Sequence, residues 1–280
     1  LFSAGLGVGS GPAAGQSAAP QPVPLPSADP FYTPDGPIAD LAPGTVIESR
    51  TMPYGSLERA TPLASTQVLY RTTDQAGAPS ATVATILSPL VPGPPRLISY
   101  HMAYDALGSQ CDPSYTLTGN GTPGQAGIAE QGVIAAGGLP VNPTHNLPYV
   151  SGSATWAGVI PALVVSYQRA YGLDTNSFLS DYGRQIVDTV STQCINAFAA
   201  DYPGLTDAQM VRPPYTSLLD IPAVVSAIGD NVMGSTGTPR VPMLLAVGNV
   251  DGIGDSVMVT ADVAGLAHEY CPRGVAVTYA

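Results

Sequence analysis

The stretch "VPMLLAVGNVDGIGDSV", Val241 to Val257, runs apolar for six or seven positions and then breaks at Asn249-Val250-Asp251-Gly252. It reads as a buried strand that delivers an acid to its carboxyl end on a glycine-rich turn. In an α/β architecture functional groups gather at the carboxyl ends of parallel strands. An acid placed there commonly orients a histidine, which in turn activates a nucleophile. Asp251 is therefore the first candidate catalytic residue.

Working outward from that strand, "DSVMVTADVAGLAHEY" predicts the helix that follows and "GVAVTYA" a last strand. Towards the N-terminus, "GTVIESRTM" predicts a first strand. "TQVLYRTTDQAGAPSATVATILSPL" shows β-branched alternation on both sides of a Gly/Ala/Pro turn, the pattern of two paired strands. "RLISYHM" (96–102) and "QGVIAAGG" are short apolar runs that also predict strands. Between Ser151 and Pro214 the texture turns helical. "WAGVIPALVVSYQRAYG" has an apolar face, with Pro161 either kinking the helix or marking its first turn. "RQIVDTVSTQCINAFAA" places Val187, Val190, Cys194 and Phe198 on one stripe at helical spacing. Strands alternating with helices predict a mostly parallel sheet with helices against it, and the helical block suits a cap over a sheet edge.

Composition narrows the function. The 280 residues are 45% hydrophobic and 10% charged, enough for a substantial core. Net charge is −11, and all nine basic residues are arginine. Such a field repels phosphate backbones, which excludes nucleic acid as a partner. No run of eighteen apolar residues predicts a transmembrane segment. The three cysteines, Cys111, Cys194 and Cys271, form neither a CxxC motif nor a Cys/His cluster, so no structural zinc site is expected. The opening "LFSAGLGVGSGPAAGQSAAPQPVPLP" reads as the remnant of a processed export segment followed by a flexible linker.

Partners for Asp251 are hard to find. His268 falls at the far end of the predicted following helix, roughly 20 Å from its start at 1.5 Å per residue. His145, in "NPTHNLPYV", is expected in a loop entering the helical block, and His101 inside a strand; structural roles fit all three. No serine has glycine at both −2 and +2, so the G-x-S-x-G elbow of α/β-hydrolases is absent.

Taken together, "DPFYTPDGPIADLAPGTVIESRTM", "LISYHMAYDALGSQCDPSYTLTGNG", "GGLPVNPTHNLPYVSGSATWAGVIPA", "FLSDYGRQIVDTVSTQCI" and "GNVDGIGDSV…YCPRGVAVTY" resemble the secretory lipase family, from Asp29 to Tyr279 and in family order. The resemblance implies an α/β-hydrolase core with an inserted helical cap, secretion, and acyl-ester hydrolysis by a Ser-Asp-His triad without metal or cofactor. Lipids or small esters would be its substrates, with transient contact at a lipid interface. Position by position, it implies that Asp251 is the triad acid and that Asp105 helps build the oxyanion hole. A carboxyl at position 105 could donate a hydrogen bond there only when protonated. It also implies a Cys111–Cys194 disulfide. The expected layout is a flexible segment over 1–28, core over 29–144, a cap or lid over 145–215, and a second core portion with the acid over 216–280. Where the family carries its nucleophile segment only "TPGQAGIAE" remains, and the segment bearing the catalytic histidine has no counterpart, so an incomplete fold is expected. The alternatives are a non-catalytic lipid- or ligand-binding remnant or an unstable truncated product.

Overall fold

The computed structural model describes residues 23–54, 63–91, 93, 107–118, 140–251 and 258–280. The first sheet is an antiparallel meander of β1 (Val46–Met52), β2 (Leu63–Thr73) and β3 (Pro79–Pro89). The β2–β3 turn closes because Asp74 Oδ1 accepts from the N–H groups of Ala76 and Ala78, while Gly77 supplies the positive φ of 82°. The inward positions of β2 are Ser65, Gln67, Leu69 and Arg71, so the buried face is largely polar. For Gln67 a connected set of partners makes that tolerable. Arg50 Nε donates to Gln67, and Gln67 Nε2 donates to the Ser114 carbonyl. The Arg50 guanidinium pairs with buried Asp29 at 2.6 Å and lies 4.0 Å over the Phe31 ring. This network fastens the segment at Asp29 to the sheet and to the short helix α1 (Pro113–Thr116).

The helical block is the best-packed part of the described residues. Helix α2 (Pro143–Val150) starts at Asn142, whose Oδ1 accepts from the Thr144 N–H, with Pro143 at the first helical position. Helix α3 (Val159–Tyr171) carries Pro161 in its first turn, where the missing N–H leaves no bond broken, and ends at Gly172 with φ 64°. Helices α4 (Asp181–Val190) and α5 (Ile195–Asp201) occupy the stripe predicted from "RQIVDTVSTQCINAFAA". Val187, Val190, Cys194 and Phe198 are all buried, but on two helices rather than one. The break falls at Ser191, and Cys194 becomes the residue that starts α5. Two close approaches hold the block together. A Cβ on Gly158 would collide with the Phe198 carbonyl, and one on Gly183 with the Met210 carbonyl. Short α6 (Asp207–Met210) and α7 (Pro222–Gly229) complete the block around Ile160, Val165, Phe178, Phe198, Met210 and Ile228. Asp207 is buried and accepts from the Ser151 and Ser217 hydroxyls and from the Leu218 N–H, joining three segments.

A disulfide joins Cys111 to Cys194 with Cα atoms 5.8 Å apart, as the family resemblance implies. Around it, the N–H groups of Leu107 and Gly108 donate to the Gln193 carbonyl, and Arg169 from α3 reaches the Leu107 and Ser191 carbonyls.

The last unit is β4 (Met243–Leu245), α8 (Thr260–Tyr270) and β5 (Val277–Tyr279). The two strands pair in parallel, and Val247 and Ala280 extend the ladder. Helix α8 lies on this pair through Leu266 and Tyr270, which together with Val275 pack against Met243, Leu245 and Val277. This is the βα arrangement read from "VPMLLAVG" onward. The segments 96–102 and 131–139, expected to add strands, lie outside the described residues.

Candidate active site

Asp251 sits four residues beyond Val247, the last paired residue of the β4 ladder, and thus at the carboxyl end of a parallel strand. Its Oδ1 accepts two hydrogen bonds from one residue. The Thr260 backbone N–H donates at 2.7 Å, and the Thr260 hydroxyl lies at 2.6 Å. The same hydroxyl is 2.9 Å from the Gly248 carbonyl. The Thr260 hydroxyl first, and its N–H second, hold the Asp251 carboxyl below the usual aspartate range. Asp251 is therefore ionised at neutral pH and fixed through one oxygen.

Helix α8 begins at Thr260, with Met258 and Val259 still outside it, so it is shorter than the helix read from Asp255 onward. His268 consequently lies eight residues into α8, about 12 Å along its axis rather than 20 Å. It still falls in the last turn, away from the Asp251 end. His145 is helical rather than in a loop, because Asn142 and Pro143 initiate α2 just before it. Its Nδ1 lies 2.9 Å from a carboxylate oxygen of Asp262, in the first turn of α8, and its Nε2 lies 3.3 Å from Asn142 Nδ2. Neither described histidine is hydrogen-bonded to Asp251. Asp105 and His101 lie outside the described residues. Among the described residues no group of three or more His, Cys, Asp or Glu side chains converges as a metal site, and no helix is long and apolar enough to cross a membrane.

Sequence reasoning missed Thr260. The signal was present as "VTAD", a Thr followed two positions later by an acid at the head of an apolar-periodic run. What could not be read was which residue Thr260 would touch, since its partner lies nine positions earlier across a turn.

The model of the family described as "Secretory lipase" matches residues 131–280, more than half of the chain. The chain belongs to the secretory lipase family. Lipase A of Arthroderma benhamiae is 31% identical over 264 residues, covering 89% of this chain and 52% of that protein. A probable inactive lipase of Mycobacterium tuberculosis is 45% identical over 97 residues, which are 33% of this chain and 22% of that relative. The chain thus spans about half, or less, of the length of these curated relatives. Among solved structures, Candida antarctica lipase A in its closed state superposes with a TM-score of 0.74 at 21% identity, covering 92% of this chain and 81% of that one. The fold is that of an α/β-hydrolase. This member of the secretory lipase family is an extracellular protein of lipase lineage, and the Cys111–Cys194 disulfide agrees with an oxidising compartment.

Proposed function

We propose that the whole protein hydrolyses acyl esters, triacylglycerols among them, with Asp251 as the triad acid that orients an imidazole and Asp105 as a contributor to the oxyanion hole. The carrying observation is the placement of an ionised carboxylate at the carboxyl end of β4, anchored by Thr260 through Oδ1 alone. The Oδ2 atom is then the one to present to an imidazole N–H, whose cationic form the carboxylate stabilises during acyl transfer. The helical block over 145–215 serves in this reading as the cap that shapes the acyl pocket, with transient contact at a lipid interface. No metal or cofactor takes part.

A second reading, a lipid-binding protein without turnover, is favoured by one observation. None of the serines in these 280 residues stands in a G-x-S-x-G elbow, and a 45% identical relative is described as probably inactive.

One experiment separates the two. The protein purified from its natural secretion is incubated with a fluorophosphonate and with a short-chain p-nitrophenyl ester. Covalent labelling, together with turnover that drops by about 10³ or more in Asp251→Asn, is the expected result, in line with the loss of other triad acids. Tight binding of a fluorescent fatty acyl probe with neither labelling nor turnover sinks the hydrolase reading in favour of the second.

A further inference from the structure

We infer that Thr260 is a positioning residue for the candidate triad acid: its hydroxyl and backbone N–H converge on Asp251 Oδ1 while the hydroxyl also grips the Gly248 carbonyl, fixing the turn 248–251 and the direction in which Oδ2 points. The inference rests on the reading of Asp251 as the acid and adds the residue through which that acid is aimed.

A triad aspartate has to hold one oxygen towards the imidazole, and rotation about its own side-chain torsions would spoil that. Thr260 removes the freedom by two contacts, at 2.7 and 2.6 Å, on the other oxygen. The 2.9 Å approach to Gly248 ties the start of the same turn to the same side chain. A hydroxyl has one proton, so Gly248 and Asp251 share it, and the backbone N–H secures the carboxylate alone. Threonine suits this task. Its β-branching restricts χ1, and its place at the first position of an eleven-residue helix ties the hydroxyl to a rigid element.

Charge reinforces the geometry. The N-terminus of α8 presents orphan N–H groups and a positive dipole end that favour a carboxylate. Asp262 brings a second carboxylate into the same turn, where it would compete for that field. It is engaged instead by His145 Nδ1 from α2. The Thr260 N–H at the start of α8 is thus left to Asp251, while those of Asp262 and Val263 turn to the Val259 carbonyl.

A cap that merely starts a helix would affect stability alone; a residue that aims the acid also affects turnover. The test uses the whole secreted protein in wild-type form and as Thr260→Val, Thr260→Ala, Thr260→Ser and Asp251→Asn. Hydrolysis of a p-nitrophenyl ester gives kcat and KM, and carboxyl-carbon NMR follows the titration of Asp251. The expected result is a fall in kcat of about tenfold or more in Thr260→Val at little-changed KM, since small misplacements of reacting groups cost that much. The Asp251 midpoint should rise, and Thr260→Ser should restore most of both. If the valine variant does not fold, Thr260→Ala carries the test, because alanine removes the hydroxyl while favouring the helix. Wild-type kcat and an unmoved Asp251 midpoint in a folded Val or Ala variant overturn the inference. If Asp251→Asn keeps wild-type activity, it is the reading of Asp251 as the acid that fails. An inactive Asp251→Asn beside a wild-type Thr260→Ala refutes the positioning role alone.

Discussion

The helical block around α3 and the β4–α8–β5 unit face one problem, the shielding of a helix's apolar face, and meet it with unequal means. Helix α3 is surrounded. Phe178, Phe198, Met210 and Ile228 are each at most 2% exposed, and α4, α5 and α7 close around them. Helix α8 rests on two three-residue strands, and its buried residues Val263, Leu266, Ala267 and Tyr270 each keep 4–8% exposure. Leu244, turned to the opposite face of β4, is 69% exposed. The candidate acid therefore belongs to the thinly packed unit, while the well-packed block supplies none of the proposed catalytic groups. A functional carboxylate needs fixed orientation, and here local hydrogen bonds from Thr260 provide it rather than a deep core.

The sharpest way to break the comparison is to cut one large side chain from each region. Phe198→Ala should cost about 4 kcal/mol, because a fully enclosed aromatic leaves a cavity that packed neighbours cannot collapse into. Leu266→Ala should cost about 2 kcal/mol, the low end of the range, because α8 has room to relax. Urea denaturation of both variants reads the difference, and equal losses would show that the two cores are equally dense. Hydrogen exchange sharpens the same point: α3 amides should outlast α8 amides.

Next in size is the disulfide. Removing it in a Cys111→Ala, Cys194→Ala double variant should cost about 3 kcal/mol, through the loop it closes across 83 residues of sequence separation. The loss should concentrate where residues 107–111 dock on the 191–194 loop, since Leu107, Gly108 and Arg169 make their bonds there. Protection of α8 should hardly change. If exchange in α8 speeds up as much as in α5, the two regions are not energetically separate.

How much of this was legible in the sequence differs between the same two regions. The meander β1–β3 and the βα unit after "VPMLLAVG" could be read because alternation and apolar runs are local signals. Pro161 in a first turn and Asn142-Pro143 before α2 are equally local, though the latter was read as a loop. The division of α4 from α5 was not legible. Val187, Val190, Cys194 and Phe198 keep a helical spacing across the break, and it is the tertiary bond of Cys194 to Cys111 that fixes where the second helix starts. The burial of Gln67 in β2 was equally hidden, since its amide is paired only by Arg50 and Ser114, which arrive from elsewhere in the chain. At the site, the position of Asp251 was legible from strand and turn. Its anchor was not, because Thr260 reaches it only once the turn has folded back on α8.

The smallest expected effect concerns acid. Each region holds an aspartate with its carboxyl below the usual range, Asp220 exposed and Asp251 partly so. Asp220, in the 3₁₀ turn before α7, is held low by the N–H of Thr216 first, then by the Thr216 hydroxyl and the Ser217 N–H. Asp251 is held low by the Thr260 hydroxyl and then its N–H. In both cases the folded state favours the charged form. The stabilisation is therefore complete above the unfolded-chain value, near pH 3.9, and is lost as pH falls through the lower folded value. Acidification from about pH 4 downward should weaken both caps, and above pH 5 neither should make stability vary with pH. The two regions should then respond unequally. The Asp220 turn sits on Leu218 and Ile221, both buried in the dense block, and should keep its structure when its carboxyl is protonated. The first turn of α8 is held chiefly by polar contacts, Thr260 to Asp251 and Asp262 to His145. Its amides should exchange faster at pH 3 than those of the Asp220 turn, relative to each at pH 5 and after correction for intrinsic rates. An equal response in the two turns would mean that packing, and not the Thr260 bonds, fixes the start of α8.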